Sequence, residues 1–170
     1  MKCIVNIKVI IPKPKLLKSV YLENACGEGG SKNQRPINEV EWKVKFISKE
    51  YDAESETTTF TYEIENEDNR GDKDLSHWVI GSSGCTTATS TNRGGYRNSG
   101  PDPTTGVYGF KWDNGQGKGT TEEYTISFSG NVGKTNVCYA VKGGTYYGAT
   151  TIEGPSCSSE GETFMKIICS

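Results

Sequence analysis

Residues 57–65 read Thr-Thr-Thr-Phe-Thr-Tyr-Glu-Ile-Glu, and this stretch alternates polar and apolar side chains. Thr58, Phe60, Tyr62 and Ile64 fall on one side, and the threonines and glutamates between them fall on the other. A period of two is that of a β-strand with one buried face and one face in water. We therefore expect residues 57–65 to form a strand that covers a hydrophobic core.

The same alternation recurs before and after this stretch. It begins at residues 40–47, where Val40, Trp42, Val44 and Phe46 share a face. Further strands are predicted at residues 77–81, 106–112, 122–129, 135–142, 146–153 and 163–169, separated by turn clusters rich in Gly, Asn and Asp. Many short strands without a convincing helix favour an all-β fold, and we predict an antiparallel β-sandwich of immunoglobulin-like or jelly-roll type.

The chain is predicted to have three parts. Residues 1–26 form an N-terminal strand extension, in which residues 2–11 alternate and end at Pro12. Residues 27–36 have no apolar anchor and are predicted to be a linker. Residues 37–170 form the β-sandwich domain. Within it, residues 82–105 show little periodicity, and so long a loop is usually functional or disordered.

Six cysteines are spread over nearly the whole chain: Cys3, Cys26, Cys85, Cys138, Cys157 and Cys169. None forms a Cys-x-x-Cys pair, and there is one histidine, which excludes zinc-finger and thioredoxin-like spacing. Disulfides in an oxidising compartment remain, so we expect a secreted, extracellular or cell-surface protein. The connectivity stays open: Cys3 could pair with Cys169 or Cys26, or the outer cysteines could link neighbouring protomers.

Composition narrows the classes of partner. The net charge of −2 gives no general attraction for nucleic acid or for an anionic membrane. No apolar run is long enough to span a bilayer. We therefore predict neither nucleic-acid binding nor membrane insertion.

Five segments together resemble a known kind of protein. They are residues 74–81, 100–113, 124–131, 140–144 and 154–157, which occur in this order within residues 40–157. The set is similar to an uncharacterised extracellular β module of secreted and surface-attached microbial proteins. The resemblance implies secretion and a sandwich fold. It carries no known activity or catalytic residues, so none is transferred to this chain.

Aromatic side chains form the leading candidate binding site. The candidates are Trp78, Tyr96, Arg97, Tyr108, Trp112, Tyr146 and Tyr147, which lie in or beside segments rich in Asp, Asn and Thr. This mixture stacks sugar rings and hydrogen-bonds their hydroxyls. A sandwich poor in aliphatic residues also needs such rings for its core, and both interpretations stay open. We expect Tyr96 and one of Tyr146 and Tyr147 to be exposed, because adjacent strand residues point to opposite faces.

Three residues with side-chain oxygen atoms suggest a calcium site. Asp102, Asp113 and Asn114, with carbonyls of glycine-rich turns, offer the hard oxygen donors that calcium prefers. The Asp113-Asn114-Gly115 run is also a hairpin signal in its own right. Calcium is the one cofactor that the sequence suggests.

Catalysis is the third interpretation, and we predict that the chain is not an enzyme. His77 is the single histidine, so a mechanism that needs a second imidazole is excluded. A Cys85 and His77 nucleophile pair is conceivable, but a cysteine among five others in a secreted chain is usually bridged.

These observations favour a structural or adhesive role, as a subunit of an extracellular filament, matrix or coat. The N-terminal strand could leave its own sheet and add to a neighbour's edge, and Cys3 and Cys169 could cross-link protomers. We therefore expect a homo-oligomer formed by strand addition or by an intermolecular disulfide. The alternative is a lectin-like module that binds a glycan through exposed aromatic rings.

Overall fold

The computed structural model describes residues 4–8, 26, 33–67, 74–157 and 164–168, and the first and last of these ranges are described as backbone only. The strands are β1 (Ile4–Lys8), β2 (Gln34–Arg35), β3 (Trp42–Asp52), β4 (Thr57–Asn66), β5 (His77–Gly81), β6 (Ser90–Thr91), β7 (Tyr96–Arg97), β8 (Gly109–Trp112), β9 (Thr121–Ser129), β10 (Gly133–Gly143), β11 (Tyr146–Ser156) and β12 (Phe164–Ile168). The one helical element in the described residues is a short 3₁₀ turn, Ile37–Glu39.

Two sheets form the body of the protein. The larger sheet has the order β2-β11-β10-β5-β8-β7, and the smaller has the order β3-β4-β9-β6. All pairs are antiparallel except β2 with β11, which run parallel. Buried side chains from both sheets form one hydrophobic cluster between them. The predicted antiparallel β-sandwich is confirmed.

Aromatic rings fill the space between the sheets. Trp78 of β5 stacks on Trp112 of β8 with ring centroids 4.6 Å apart. Tyr62 of β4 and Tyr124 of β9 meet Trp78 edge-on from the opposite sheet. Stacked and edge-on pairs add to the free energy gained by burying the ring surface. Trp, Tyr and Phe therefore contribute to the core beside the aliphatic residues of both sheets.

A second, smaller core lies on the outer face of the larger sheet. Val79, Ala140 and Tyr147 point away from the sandwich interior and pack with Val107. Val107 belongs to the loop 98–108, which is closed on itself by hydrogen bonds from Asp102 N to Val107 O and from Gly106 N to Asp102 O and which packs Val107 on this face. Both faces of the larger sheet are therefore covered near this loop.

Two disulfides tie distant parts of the body together. Cys26 is bonded to Cys138 of β10, and Cys85 is bonded to Cys157 after β11. The predicted disulfide-containing fold is confirmed, and the bonds fit a non-reducing environment. Cys3 and Cys169 lie outside the described residues. Of the predicted linker, residues 27–32 also lie outside them, while Gln34 and Arg35 form β2.

The first and last strands form a sheet of their own. β1 pairs with β12 in antiparallel register, from Ile4 with Ile168 to Lys8 with Phe164. Neither strand joins one of the two larger sheets. The N-terminal strand that the sequence predicted is thus present over Ile4–Lys8, and its partner is the C-terminal strand of the same chain. We call this two-stranded sheet the terminal ribbon.

Candidate functional site

A chain of charged and polar side chains crosses the outer face of the larger sheet beside the loop 98–108. His77 lies at the start of β5, Lys111 in β8 and Tyr96 in β7. Asp102 comes from the loop, and Asp113 follows β8 directly. Strand pairing sets Lys111 opposite both Val79 and Tyr96, so the neighbouring strands bring these side chains to one face. We call these five residues the Asp102 cluster.

Asp102 is the buried centre of the cluster, with only 3% of the residue exposed. Its Oδ1 accepts hydrogen bonds from the backbone N–H groups of Thr104 and Thr105, at 3.1 and 2.9 Å, and from the Thr105 hydroxyl at 3.1 Å. Burial opposes ionisation, but the Thr105 hydrogen bond and the Lys111 ammonium outweigh it and lower the pKa of Asp102 to about 2. The carboxylate thereby stays charged and closes the turn at residues 102–106.

Lys111 links the loop to the sheet. Its Nζ lies 3.1 Å from Asp102 Oδ2 and 2.9 Å from Asp113 Oδ1, and its side chain is 15% exposed. Burial opposes the charged form, yet the two carboxylates raise the pKa of Lys111 above its ordinary value. Asp113 also accepts a hydrogen bond from the Tyr96 hydroxyl. One ammonium is therefore shared between a buried and a half-exposed carboxylate.

His77, at the start of β5, is the fifth residue of the cluster and lies beside Asp102. Its Nε2 lies 3.4 Å from Asp102 Oδ1 and is buried without a hydrogen-bond partner among the described residues. Burial lowers the pKa of His77, and the nearby Asp102 charge only partly opposes this shift. The imidazole is therefore neutral near pH 7, and its protonation at lower pH is disfavoured in the fold.

A small cleft opens over the cluster. It has a volume of about 230 Å³ and lies between Tyr96, Lys111 and residues 98–103. The Tyr96 residue is 46% exposed at its rim. The cleft is lined by the Tyr96 ring, the Lys111 side chain and the buried Asp102 carboxylate, and the Tyr96 hydroxyl and the Lys111 ammonium are groups that can hydrogen-bond a polar ligand.

Four of the predicted binding residues lie in the core. Trp78, Trp112, Tyr146 and Tyr147 are at most 7% exposed, so their rings are not open to a sugar. We expected either Tyr146 or Tyr147 to be exposed, and this was wrong. β11 is covered on both faces: Tyr146 stacks on Trp42 inside the sandwich, and Tyr147 packs into the outer core with Val107.

The remaining candidates are at the surface but on opposite sides of the sheet edge. Tyr96 faces the Asp102 cluster, whereas the guanidinium of Arg97 lies 4.6 Å from the ring centre of Tyr108 and donates to the carbonyl of Cys85. Tyr108 is 47% exposed. The structure therefore does not bring Tyr96, Arg97 and Tyr108 into one continuous surface.

The three predicted calcium ligands are engaged with other groups. The ammonium of Lys111 lies between Asp102 and Asp113, and the amide of Asn114 donates to the carbonyl of Arg93. Among the described residues, no group of three or more His, Cys, Asp or Glu side chains is arranged to hold a metal. Calcium binding here stays a prediction.

The imagined nucleophile is absent. Cys85 is in a disulfide with Cys157, so it has no thiol to pair with His77. The described residues also contain no helix long and apolar enough to cross a membrane.

Lys111 is the residue of the candidate site that the sequence did not reveal. Lys111 stands between the apolar residues Phe110 and Trp112. In an alternating strand such a position faces solvent, so the sequence gives no sign of a buried ion pair. The signal that could have found it is the short spacing to Asp113 on the same face, together with the Asp-Pro-Thr-Thr turn at residues 102–105.

Comparison of the chain with protein-family models, with curated proteins and with solved structures found no match. The resemblance to an extracellular β module therefore stays a prediction, and the functional proposal depends on the geometry alone.

Proposed function

We propose that this chain is a secreted structural or adhesive module that associates with further copies through its terminal ribbon. The observation that carries the proposal is the contrast between the edges of the body and those of the ribbon. An exposed strand edge offers unpaired N–H and C=O groups to a second chain. Where such an edge is left open, it is a site for strand addition.

The four edge strands of the body are poor templates for pairing. β2, β6 and β7 have two residues each. The fourth edge strand, β3, is long, but its register shifts between Phe46 and Ser48 and it carries Lys43 and Lys45 on its exposed face. Short strands, a bulge and lysines are the usual means by which proteins prevent edge-to-edge association.

The terminal ribbon is less protected than the edges of the body, although each of its strands carries one lysine, Lys8 in β1 and Lys166 in β12. β1 and β12 have five residues each, their register is continuous, and neither contains proline. Each pairs with the other along one edge only, so the second edge of each is unpaired in the described structure. A two-stranded ribbon is marginally stable alone, and adding strands from a second ribbon would stabilise it.

The two disulfides of the body suit a module that bears load or stands outside the cell. Two disulfides join segments 112 and 72 residues apart in the sequence. Such long-range bonds restrict the unfolded chain and favour the folded one. Disulfides persist in oxidising surroundings such as the outside of the cell, so a module cross-linked in this way suits an extracellular role.

Sedimentation and electron microscopy of the full oxidised chain at increasing concentration test the proposal. We expect oligomers or fibres, and we expect the double variant Val5→Lys with Ile7→Lys to remain monomeric, because charge on β1 opposes strand pairing. The matched control places two lysines on exposed positions of β9, Thr121→Lys with Ser129→Lys, and should assemble like the wild type. A wild-type chain that is monomeric at every concentration contradicts the proposal. Oligomers that dissociate only on reduction would indicate an intermolecular disulfide instead of strand addition.

A second candidate function is glycan binding, which the exposed Tyr96 beside the polar cleft favours. A sugar could stack on this ring and hydrogen-bond the ammonium of Lys111, which also lines the cleft. A glycan array identifies the ligand, after which Tyr96→Ala should abolish binding. Tyr51→Ala is the matched control, because Tyr51 is 41% exposed at the far end of β3 and lies outside the cleft. An array without hits, or equal loss in both variants, argues against this function.

A further inference from the structure

We propose that a third disulfide, Cys3–Cys169, fastens the terminal ribbon within a single chain. The bond would join the residue before β1 to the residue after β12. This inference is independent of the proposed function, because it concerns the covalent structure of one chain.

The register of the ribbon carries the argument. Ile4 pairs with Ile168, Val5 with Ile167, and the ladder continues without a shift to Lys8 and Phe164. In an antiparallel ladder each step back along one strand is a step forward along the other. In the sequence, Cys3 directly precedes Ile4 and Cys169 directly follows Ile168, so the two cysteines flank the same end of this ladder.

The spacing of such a pair suits a disulfide. Directly opposed residues of antiparallel strands have Cα atoms about 4.5 to 5.5 Å apart and side chains on the same face. Disulfides span Cα separations of about 4.4 to 6.8 Å. The two ranges overlap, so an antiparallel ladder is compatible with a disulfide at its end.

The other cysteines leave no competing partner inside the chain. Cys26 is bonded to Cys138 and Cys85 to Cys157, so Cys3 and Cys169 are the two that remain. Their two thiols would lose two protons and two electrons to a low-molecular-weight disulfide of the oxidising compartment, which is reduced to two thiols as the Sγ–Sγ bond forms.

The bond has a consequence for the ribbon. A two-stranded sheet is marginal in water, and a covalent link next to its last pair holds the strands in register. The link would also use both outer cysteines, so neither could join one chain to another. Any association of copies would then be non-covalent.

Peptide mapping of the full oxidised protein tests the inference directly. Each cysteine falls in a separate tryptic peptide, and cleavage after Lys2, Lys8 and Lys166 places Cys3 in residues 3–8 and Cys169 in residues 167–170. The protein is alkylated in denaturant without reductant, digested and analysed by mass spectrometry. We expect one disulfide-linked pair made of these two peptides, released as separate peptides by reduction. The Cys26–Cys138 and Cys85–Cys157 pairs serve as internal controls in the same digest.

Other patterns overturn the inference. Alkylated Cys3 and Cys169 would show that both are free thiols, and a Cys3–Cys3 or Cys169–Cys169 peptide would show a bond between chains. A Cys3–Cys169 peptide from a covalent dimer band would also show an intermolecular bond, so the digest is made on the monomer band of a non-reducing gel. The Cys3→Ser variant should gain one alkylatable thiol, at Cys169. If no thiol appears, the bond is not the one proposed.

Discussion

The Nζ atom of Lys111 in β8 lies 3.1 Å from the Oδ2 atom of Asp102 in the loop 98–108, and both side chains are largely buried. This ion pair is the direct link between a loop of irregular structure and the sheet under it. Because Asp102 also accepts three hydrogen bonds from its own turn, one carboxylate fixes both the shape of the loop and its position.

Replacing Asp102 should loosen the loop and destabilise the fold. Asp102→Asn removes the charge that the Lys111 ammonium faces in a buried setting, and we expect the free energy of unfolding to fall by about 2 to 4 kcal/mol in urea denaturation. Asp113→Asn is the matched control. Its side chain is 50% exposed, so the loss there should be below about 1 kcal/mol. If both variants lose the same unfolding free energy, the burial of Asp102 does not strengthen its ion pair with Lys111.

Acid should weaken the fold through the same carboxylate. The pKa of Asp102 is about 2 in the folded state, against an ordinary value near 4 when the chain is unfolded. The ionised Asp102 carboxylate therefore stabilises the fold by about 2 kcal/mol. This stabilisation is present above pH about 4 and is lost as the pH falls to about 2. Urea denaturation at several pH values should show this slope in the wild type and a shallower one in Asp102→Asn. If the unfolding free energy of Asp102→Asn depends on pH as steeply as that of the wild type, Asp102 is not the source of the acid sensitivity.

His77 should add a separate pH dependence at higher pH. Its folded-state pKa is lowered by burial, so the unfolded chain takes up the proton first as the pH falls below about 6.5. Stability should decline from that point until His77 is protonated in the folded state as well. His77→Gln has no charge to gain, and its curve should be flat over the same range. NMR titration of the single histidine measures the folded pKa directly, and an ordinary value would disprove the prediction.

Gly95 should tolerate no larger residue. A Cβ atom at this position would lie 2.4 Å from the Trp112 ring, which is fixed by its stack on Trp78 and by a hydrogen bond from Nε1 to the carbonyl of Asn92. Gly95→Ala should therefore cost about 1 to 3 kcal/mol in thermal or urea unfolding. Gly100→Ala is the control, since a Cβ atom there meets nothing within 4 Å. A neutral Gly95→Ala would show that the turn can move away from the ring.

Each disulfide of the body should contribute strongly to stability. The cysteines of the two bonds are 112 and 72 residues apart, and loop-closure entropy gives about 4 to 5 kcal/mol for bonds of this span. Cys26→Ser with Cys138→Ser, and Cys85→Ser with Cys157→Ser, should each lose an amount of this order in urea denaturation. A loss below about 1 kcal/mol would mean that the unfolded chain keeps these segments together without the bond.

Strands with a long alternating pattern were predictable from the sequence. The alternating pattern over residues 57–65 matches β4 to within one residue, and the short segment predicted at residues 77–81 matches β5, although all five of its residues are buried. β2, β6 and β7 were not predicted, because two residues show no period. Residues 82–105 show no periodicity, so the sequence did not reveal their structure. Contacts between distant residues order this segment instead, such as the disulfide from Cys85 to Cys157 and the hydrogen bond from Arg97 to the Cys85 carbonyl.

The candidate site was predictable only in part. Alternation assigns each side chain to a face, but it does not say which faces another segment covers. Tyr147 shows the difference, because the loop 98–108 covers it through Val107 from a distant part of the sequence. Tyr96 was correctly expected to be exposed. Lys111 was missed because its pairing with Asp102 depends on how that loop folds back.

The disulfide between Cys26 and Cys138 bears on how the chain responds to proteases. Cys26 precedes β2, whereas Cys138 lies in a central strand of the larger sheet. A cut after Lys32 would separate the first 32 residues from the backbone of the rest, yet this fragment would stay attached through the sulfur atoms. A protease nick there would leave the module in one piece until a reductant acted on it.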